Sequence, residues 1–259
     1  MVKKQPYKKI KLSVVMPVLN EGANLRVILP ILKSIINTSH EVLVVYDIAN
    51  DDSIPIVKSM QKNYPRLRLI YNRLGRGVIN AIKSGVKESN GSYVLTIAAD
   101  DIGPPLAIND MIALMDKGCD FVNGTRYSHG GKNAGGVFIS RLLSTTANSI
   151  FRVLSGSSLT DPTFGVKMFK RSKFNELNLV SRPIGWAVSF EFAIKAQAAG
   201  WKLGEVPLIS LNRLYGKGKS SFRLNWIAEY MNWFLFGIRK LLFKRKSKVI
   251  LRVPENLGA

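Results

Sequence analysis

The residues of this chain that could do chemistry gather in a few short runs. "TIAADDIGPP" carries an apolar, β-branched stretch into two adjacent carboxylates, Asp100 and Asp101, and then into a proline turn. Ligands bind at strand ends in open α/β sheets, and paired acids in such a place suit a cation, a proton transfer or a sugar. Three more runs have the same form. Asn20 and Glu21 follow "SVVMPVL", Asp47 to Ser53 follow "EVLVVY", and Gly75 to Gly77 follow "LRLIYN". No G-x-G-x-x-G comes after the first of them and no G-x-x-x-x-G-K-[ST] occurs, so neither a dinucleotide fingerprint nor a nucleoside-triphosphatase loop explains them.

For these runs to meet, each must close a parallel strand at the same edge of one sheet. The pattern supplies that arrangement. Strand-like "KLSVVMPV", "HEVLVVYD", "LRLIYN", "GSYVLTIAAD" and "CDFVNGT" alternate with helix-like "ANLRVILPILKSII", "IPIVKSMQKNY", "GVINAIKSGVKES" and "LAINDMIALMDKG". Such alternation predicts right-handed βαβ units and a doubly wound, mostly parallel α/β sheet with flanking helices. The second half is less regular, with helices expected at "SRLLSTTANSIFRVLS" and "SFEFAIKAQAAG" and strands at "GVKMFK" and "KLGEVPLI".

With 38 Lys and Arg against 17 Asp and Glu, the 259-residue chain carries a net charge of +21, which calls for a polyanionic partner. Nucleic acid, an anionic membrane and phosphorylated substrates all qualify. The single cysteine, Cys119, rules out an internal disulfide and a thiolate metal cluster, and it fits a reducing, cytosolic setting. The basic N-terminal stretch does not read as a signal peptide, because Pro17 breaks its short apolar run.

Taken in order, "VVMPVLNEGANL", "EVLVVYDIANDDS", "NRLGRGVINAIKSG", "GSYVLTIAADDIGPP", "GTRYSHGG", "DPTFGVKMFKR" and "EVP" resemble the family 2 glycosyltransferases of the GT-A fold. They are most similar to the polyprenyl-phosphate branch, the dolichyl-phosphate mannose and glucose synthases, over about Lys11 to Phe222. The resemblance implies an inverting enzyme that moves a sugar from a nucleotide sugar, such as GDP-mannose or a UDP-sugar, to a polyprenyl or dolichyl phosphate, with Mg²⁺ or Mn²⁺ on the diphosphate. It places Pro17, Asn20, Glu21, Asp47 and Gly77 around the nucleotide sugar, and Asp100 and Asp101 at the metal. It also puts Arg126 at the acceptor phosphate with Asp161 beside it, Glu191 near the reacting centre, and Arg213, Lys217 and Lys219 in a basic loop over the diphosphate.

The chain departs from the family where relatives read Asp-Ala-Asp, because Ala98 and Ala99 precede Asp100. One aspartate still suffices as a protein ligand for a hard dication, which takes its other oxygens from phosphate and water. The acceptor phosphate is already an anion, so no strong base is required. Cations must hold it near a second polyphosphate, a task for Arg126 and the loop lysines. Asp51 and Asp52, just before "SIPIVKSM", read as helix caps.

Residues 1–222 therefore read as the catalytic domain and 223–259 as a basic, membrane-associating segment. A helix over Trp226 to Phe243 places Asn225, Glu229, Asn232 and Arg239 on one polar face and apolar side chains elsewhere, suited to the plane of a bilayer interface. The expected location is the cytoplasmic face of a membrane, held peripherally or monotopically. Three rival readings stand beside it: a transferase acting on another saccharide acceptor, a membrane scaffold without catalysis, and a nucleic-acid-binding protein. The last lacks an RNP-like strand, zinc spacing or helix-turn-helix, so no nucleic-acid partner is expected.

Overall fold

The computed structural model describes residues 9–135, 138–211, 213–216, 226–244 and 246–252, the side chains of 138–140 excepted. Strand β1 (Leu12–Val18) runs into helix α1 (Gly22–Ile35), and β2 (His40–Tyr46) into α2 (Ser53–Met60). Next come β3 (Leu67–Tyr71), α3 (Val78–Glu88), β4 (Tyr93–Thr96), α4 (Ile108–Asp116) and β5 (Phe121–Thr125). A two-residue strand β6 (Lys132–Asn133) precedes α5 (Phe138–Ser155), β7 (Lys167–Lys170), α6 (Ala187–Ala198) and β8 (Leu203–Pro207). The described chain ends through β9 (Ile209–Ser210), α7 (Ile227–Leu241) and β10 (Val249–Leu251).

The eight-stranded main sheet has the order β10-β8-β5-β7-β4-β1-β2-β3. It is the mostly parallel α/β sheet that the sequence predicts. Its centre is apolar on both faces because helices cover both. Leu12, Val14 and Met16 of β1 pack into one core with Leu25, Ile28 and Leu29 of α1 and Met111 of α4. Val15 turns the other way, with Leu43 and Val45, onto Ile79 and Ile82 of α3. This period-two division is what a strand buried on both faces requires.

One strand breaks the parallel rule. β7 runs antiparallel between β4 and β5, pairing Thr96 with Lys167 and Asn123 with Lys167. The segment entering β7 therefore starts at the edge where β4 and β5 end. Asp161 and Thr163 reach the ligand edge by this reversal.

Helix α7 packs against helices from the earlier part of the chain. Glu229, Trp233, Gly237 and Leu241 of α7 are buried, and Trp233 and Leu241 share a core with Phe151 of α5 and with Phe190 and Ile194 of α6. Burial of each such aromatic side chain contributes about 1.5–3 kcal/mol. Beyond α7, β10 pairs in parallel with β8, Val249 opposite Leu203, and extends the main sheet. The polar face expected on α7 is corrected at Glu229, while Asn232 and Arg239 are exposed as expected. Glu229 points inward, accepting hydrogen bonds from the Arg182 amide at 3.0 Å and from Trp233 Nε1 at 2.8 Å, whereas Ile227, Met231 and Leu235 face solvent.

Candidate active site

The carboxyl ends of the parallel strands open into one cleft with two chambers. The first, about 270 Å³, is lined by Pro17, Glu21, Asp47, Gly77 and Asp100 among others. The second, about 280 Å³, takes in Asp101, Arg126 and Thr163. Ala98, Asp100, Trp186 and Arg213 line both, so these residues form the partition.

In the first chamber the end of β2 is tied to the turn before α3. Asp47 accepts from Asn72 Nδ2 at 2.7 Å and from the Gly77 amide at 3.0 Å. Gly77 has φ 115°, and a β-carbon there would lie 2.4 Å from that of Pro183, so only glycine lets the turn pass under the 183–186 segment. Glu21 stands at the start of α1, where Asn24 Nδ2 donates to its Oε2 at 2.7 Å. Burial pushes the Glu21 carboxyl above its ordinary range, against the opposing pull of Arg213 and Asn24.

Adjacent Asp100 and Asp101 have different work. Asp100 faces the cleft and takes Arg213 Nε at 3.1 Å. Asp101 accepts from the Ser210 hydroxyl at 2.5 Å, the Leu211 amide at 3.0 Å and the Gly103 amide at 3.1 Å. These bonds tie Asp101, expected from the sequence at the metal, to the end of β9 and the segment that leads to Arg213. Gly103 permits this contact, since a β-carbon there would come within 1.9 Å of the Ile209 carbonyl oxygen. Burial raises the Asp101 pKa, against the lowering pull of the Ser210 bond.

In the second chamber Arg126 is held as a fork. Its Nε donates to Asp161 Oδ2 at 2.8 Å and its Nη2 to Oδ1 at 3.0 Å, and the Arg126 amide reaches Oδ2 at 3.2 Å. The guanidinium carbon lies 4.3 Å from the Phe164 ring centroid. Asp161 itself is fully buried. The free side of the fork is Nη1, which among the described residues has no partner. Behind this pair, buried Lys167 donates to Asn123 Oδ1 at 2.6 Å, and Asn123 Nδ2 donates to the Asp161 carbonyl at 3.1 Å and to Glu205 Oε1 at 3.0 Å.

Two further expected site residues lie elsewhere. Glu191 is fully buried outside both chambers, where it accepts the Val180 and Ser181 amides at 2.7 Å each and pairs with Lys195. It anchors the segment that leads to Pro183 and Trp186 instead of meeting a substrate. Asn20 is a turn residue with φ 52°, its amide on Asp51 and its Oδ1 accepting from the Asp52 amide at 3.2 Å. The expected caps work across the turn: Asp52 accepts the first amide of α1, from Gly22 at 2.8 Å, and Asp51 accepts from Ser53. Lys217 and Lys219 lie outside the described residues.

Among the described residues no group of three or more His, Cys, Asp or Glu could hold an ion by itself. Asp100, with Glu21 joined to it through Arg213, offers one or two carboxylates open to the cleft. That donor set fits a hard dication that keeps water and takes its remaining oxygens from a bound diphosphate.

Sequence reasoning missed Asn24, Thr163 and Trp186. Asn24 sits three residues after Glu21, on the same helical face, which was a readable sign. Trp186 follows Pro183 and Gly185 at the start of α6, a turn that delivers an aromatic to a helix N-terminus. Thr163 carried no distinguishing signal.

The Glycosyl transferase family 2 model matches residues 13–177. A dolichol-phosphate mannosyltransferase of Pyrococcus furiosus is 28% identical over 232 residues, 86% of this chain and 64% of the relative's length. One from Mycosarcoma maydis is 26% identical over 246 residues, covering 89% and 82% of the two chains. Among solved structures, glucosyl-3-phosphoglycerate synthase from Mycobacterium tuberculosis, crystallised with Mn²⁺, UDP and phosphoglyceric acid, superposes with a TM-score of 0.63. It is 17% identical and the match covers 92% of this chain and 80% of that one, a likeness of fold.

Proposed function

The chain belongs to glycosyl transferase family 2, and from that membership we propose that it transfers a sugar from a nucleotide sugar to a polyprenyl phosphate at a membrane surface. The observation that carries this reading is Arg126, a fork locked by Asp161, facing the same cleft as Asp100 and Asp47. A fixed guanidinium recognises a phosphate, and a carboxylate at the partition recognises the ion on a second one.

In this reading Asp47, Pro17 and Gly77 shape the nucleoside end of the donor chamber. Asp100, with Glu21 near it, would hold Mg²⁺ or Mn²⁺, whose charge supports the departing diphosphate. Arg126 holds the acceptor phosphate so that one of its oxygens meets the anomeric carbon. That oxygen forms the new C–O bond as the bond to the diphosphate breaks, and the nucleoside diphosphate leaves with the electron pair. Attack opposite the leaving group inverts the anomeric carbon. No side chain need remove a proton, which agrees with the position of Glu191 outside both chambers.

The surface supports a membrane site for this chemistry. No helix among the described residues is long and apolar enough to cross a bilayer. Helix α7 instead exposes Ile227, Met231 and Leu235, one helical stripe, and just beyond it Phe243 is 95% exposed. Arg239, Lys240 and Lys244 are exposed beside them, and each such charge near an anionic leaflet contributes about 1 kcal/mol. In this reading an interfacial helix flanked by cations brings the protein to its lipid-borne acceptor, on the cytoplasmic face, to which a reduced cysteine is suited.

The test is transfer of label. Protein is incubated with radiolabelled UDP- and GDP-sugars, polyprenyl phosphate and Mg²⁺ or Mn²⁺, then extracted into organic solvent. Label in the organic phase, lost with a chelator, supports the reading and identifies the donor. Label that reaches only water-soluble products would assign a different acceptor.

A further inference from the structure

The partition between the chambers contains a cation of the protein's own. Arg213 Nη2 is paired with Glu21 Oε1, and with Asp100 Oδ2 at 3.1 Å, so one guanidinium bridges the two cleft carboxylates. Its position is fixed from both sides. On one side Asp101 grips Ser210 and Leu211. On the other, Asn24 makes paired hydrogen bonds with the backbone of Tyr215, accepting from its amide and donating to its carbonyl, both at 3.2 Å. Arg213 Nη1 adds a bond to the same Tyr215 carbonyl at 3.3 Å. Asn24 also holds Glu21, so the carboxylate and the segment bearing the arginine share one anchor.

We propose that Arg213 is an internal counter-ion that competes with the divalent cation for Asp100 and Glu21, so that the ion is admitted only together with a diphosphate that draws the guanidinium away. The inference rests on the transferase reading of the cleft and adds an order of binding to it. Two carboxylates, one of them largely buried, need positive charge when the cleft holds no ligand. Arg213 supplies it with one unit of charge, and Ala98 leaves no third carboxylate on the partition to tip the balance toward a dication. A diphosphate changes the balance twice. It offers oxygen ligands to the ion, and its negative charge gives the guanidinium a new partner with the same fork geometry. Arg213 then moves from carboxylates to phosphate with little net loss of ion pairing. In this scheme Arg213 is a positioning residue before donor binding and a diphosphate ligand after it.

The competition has a measurable size. If the bridge is closed 90–99% of the time, apparent Mn²⁺ affinity without nucleotide falls about 10- to 100-fold relative to the open cleft. Mn²⁺ binding is followed by electron paramagnetic resonance on the full chain, wild type, Arg213→Ala and Arg213→Lys, with folding checked by circular dichroism. Without nucleotide, Arg213→Ala should bind Mn²⁺ at least 10-fold more tightly than wild type, and Arg213→Lys, which keeps the charge, should stay close to wild type. Adding UDP or GDP should strengthen Mn²⁺ binding far more in wild type than in Arg213→Ala. Equal Mn²⁺ affinity in wild type and Arg213→Ala overturns the proposal. Failure of UDP and GDP to bind either protein counts instead against the transferase reading, and the nucleotide-free comparison still decides whether the bridge competes with the ion.

Discussion

Asp161 holds Arg126 through a bidentate pair of hydrogen bonds, Nε to Oδ2 at 2.8 Å and Nη2 to Oδ1 at 3.0 Å. A fork held on one side has a fixed direction on the other, and a phosphate bound there inherits it. Arg126→Lys keeps the charge and loses the fork, so its KM for polyprenyl phosphate should rise about 10- to 100-fold, as misplacement of a reacting group by an ångström predicts, while the donor KM holds. Arg126→Ala also leaves buried Asp161 without its partner and should cost about 3 kcal/mol in stability. Initial rates over a matrix of both substrates, with urea titrations, separate the effects. Equal rises in both KM values for Arg126→Lys would show that the fork does not serve the acceptor.

The two adjacent aspartates give a contrasting pair. Asp100→Ala should abolish metal-dependent transfer and leave the melting temperature nearly unchanged, because this side chain opens on the cleft. Asp101→Ala deprives the Ser210 hydroxyl and two amides of their acceptor. It should lower stability by about 1–3 kcal/mol and reduce donor affinity through the loosened Arg213. Thermal melts beside nucleotide titrations would check this, and the reverse pattern would exchange the two roles.

The separate partners of the two adjacent aspartates could not be read from the sequence. Both lie in the turn beyond Thr96, the last residue of β4, and the partners that separate them, Arg213 for Asp100 and Ser210 for Asp101, come more than a hundred residues later. The parallel sheet was legible because β-branched runs alternated with amphipathic ones. The direction of β7 was not, since "KMFK" reads the same in either orientation, and that direction brings Asp161 to the site. Glu191 and Asp161 looked alike in sequence, each an acid in a family-like segment. Only the partners separate them: two backbone amides for Glu191, an arginine fork for Asp161. Glu229 was placed on a polar face because its partner, the Arg182 amide, lies 47 residues away.

Glu191 offers a direct check on that distinction. Glu191→Gln keeps one amide acceptor and should retain the wild-type pH dependence of transfer, with lower stability from the weakened hold on Val180 and Ser181. Loss of the acidic limb of the pH–rate profile would instead mark Glu191 as a base.

The stripe on α7 predicts how the protein meets lipid. Leu235→Asp combined with Phe243→Asp removes apolar surface that is exposed in the fold, so stability should change by less than about 0.5 kcal/mol. Cosedimentation with vesicles containing anionic lipid should fall at least 10-fold, and transfer to a short, water-soluble polyprenyl phosphate should persist. Undiminished vesicle binding would move the membrane contact away from α7.

Lys167 makes stability depend on pH. Burial lowers its pKa from the ordinary lysine value of 10.5 to about 7, against the opposing charges of Asp161 and Glu205. Between those two values the unfolded chain holds a proton that the folded chain has released, so the contribution of this group to stability rises with pH across that window. Below about pH 7 both states are charged and the cost of burying the ammonium is fully present. The slope for one proton is at most about 1.4 kcal/mol per pH unit. Urea midpoints at neutral and mildly alkaline pH should therefore climb more steeply in wild type than in Lys167→Met, even though the variant begins lower because Asn123 Oδ1 loses its donor. Parallel slopes would mean that Lys167 stays charged throughout, paired to Asp161 and Glu205 more strongly than its burial opposes.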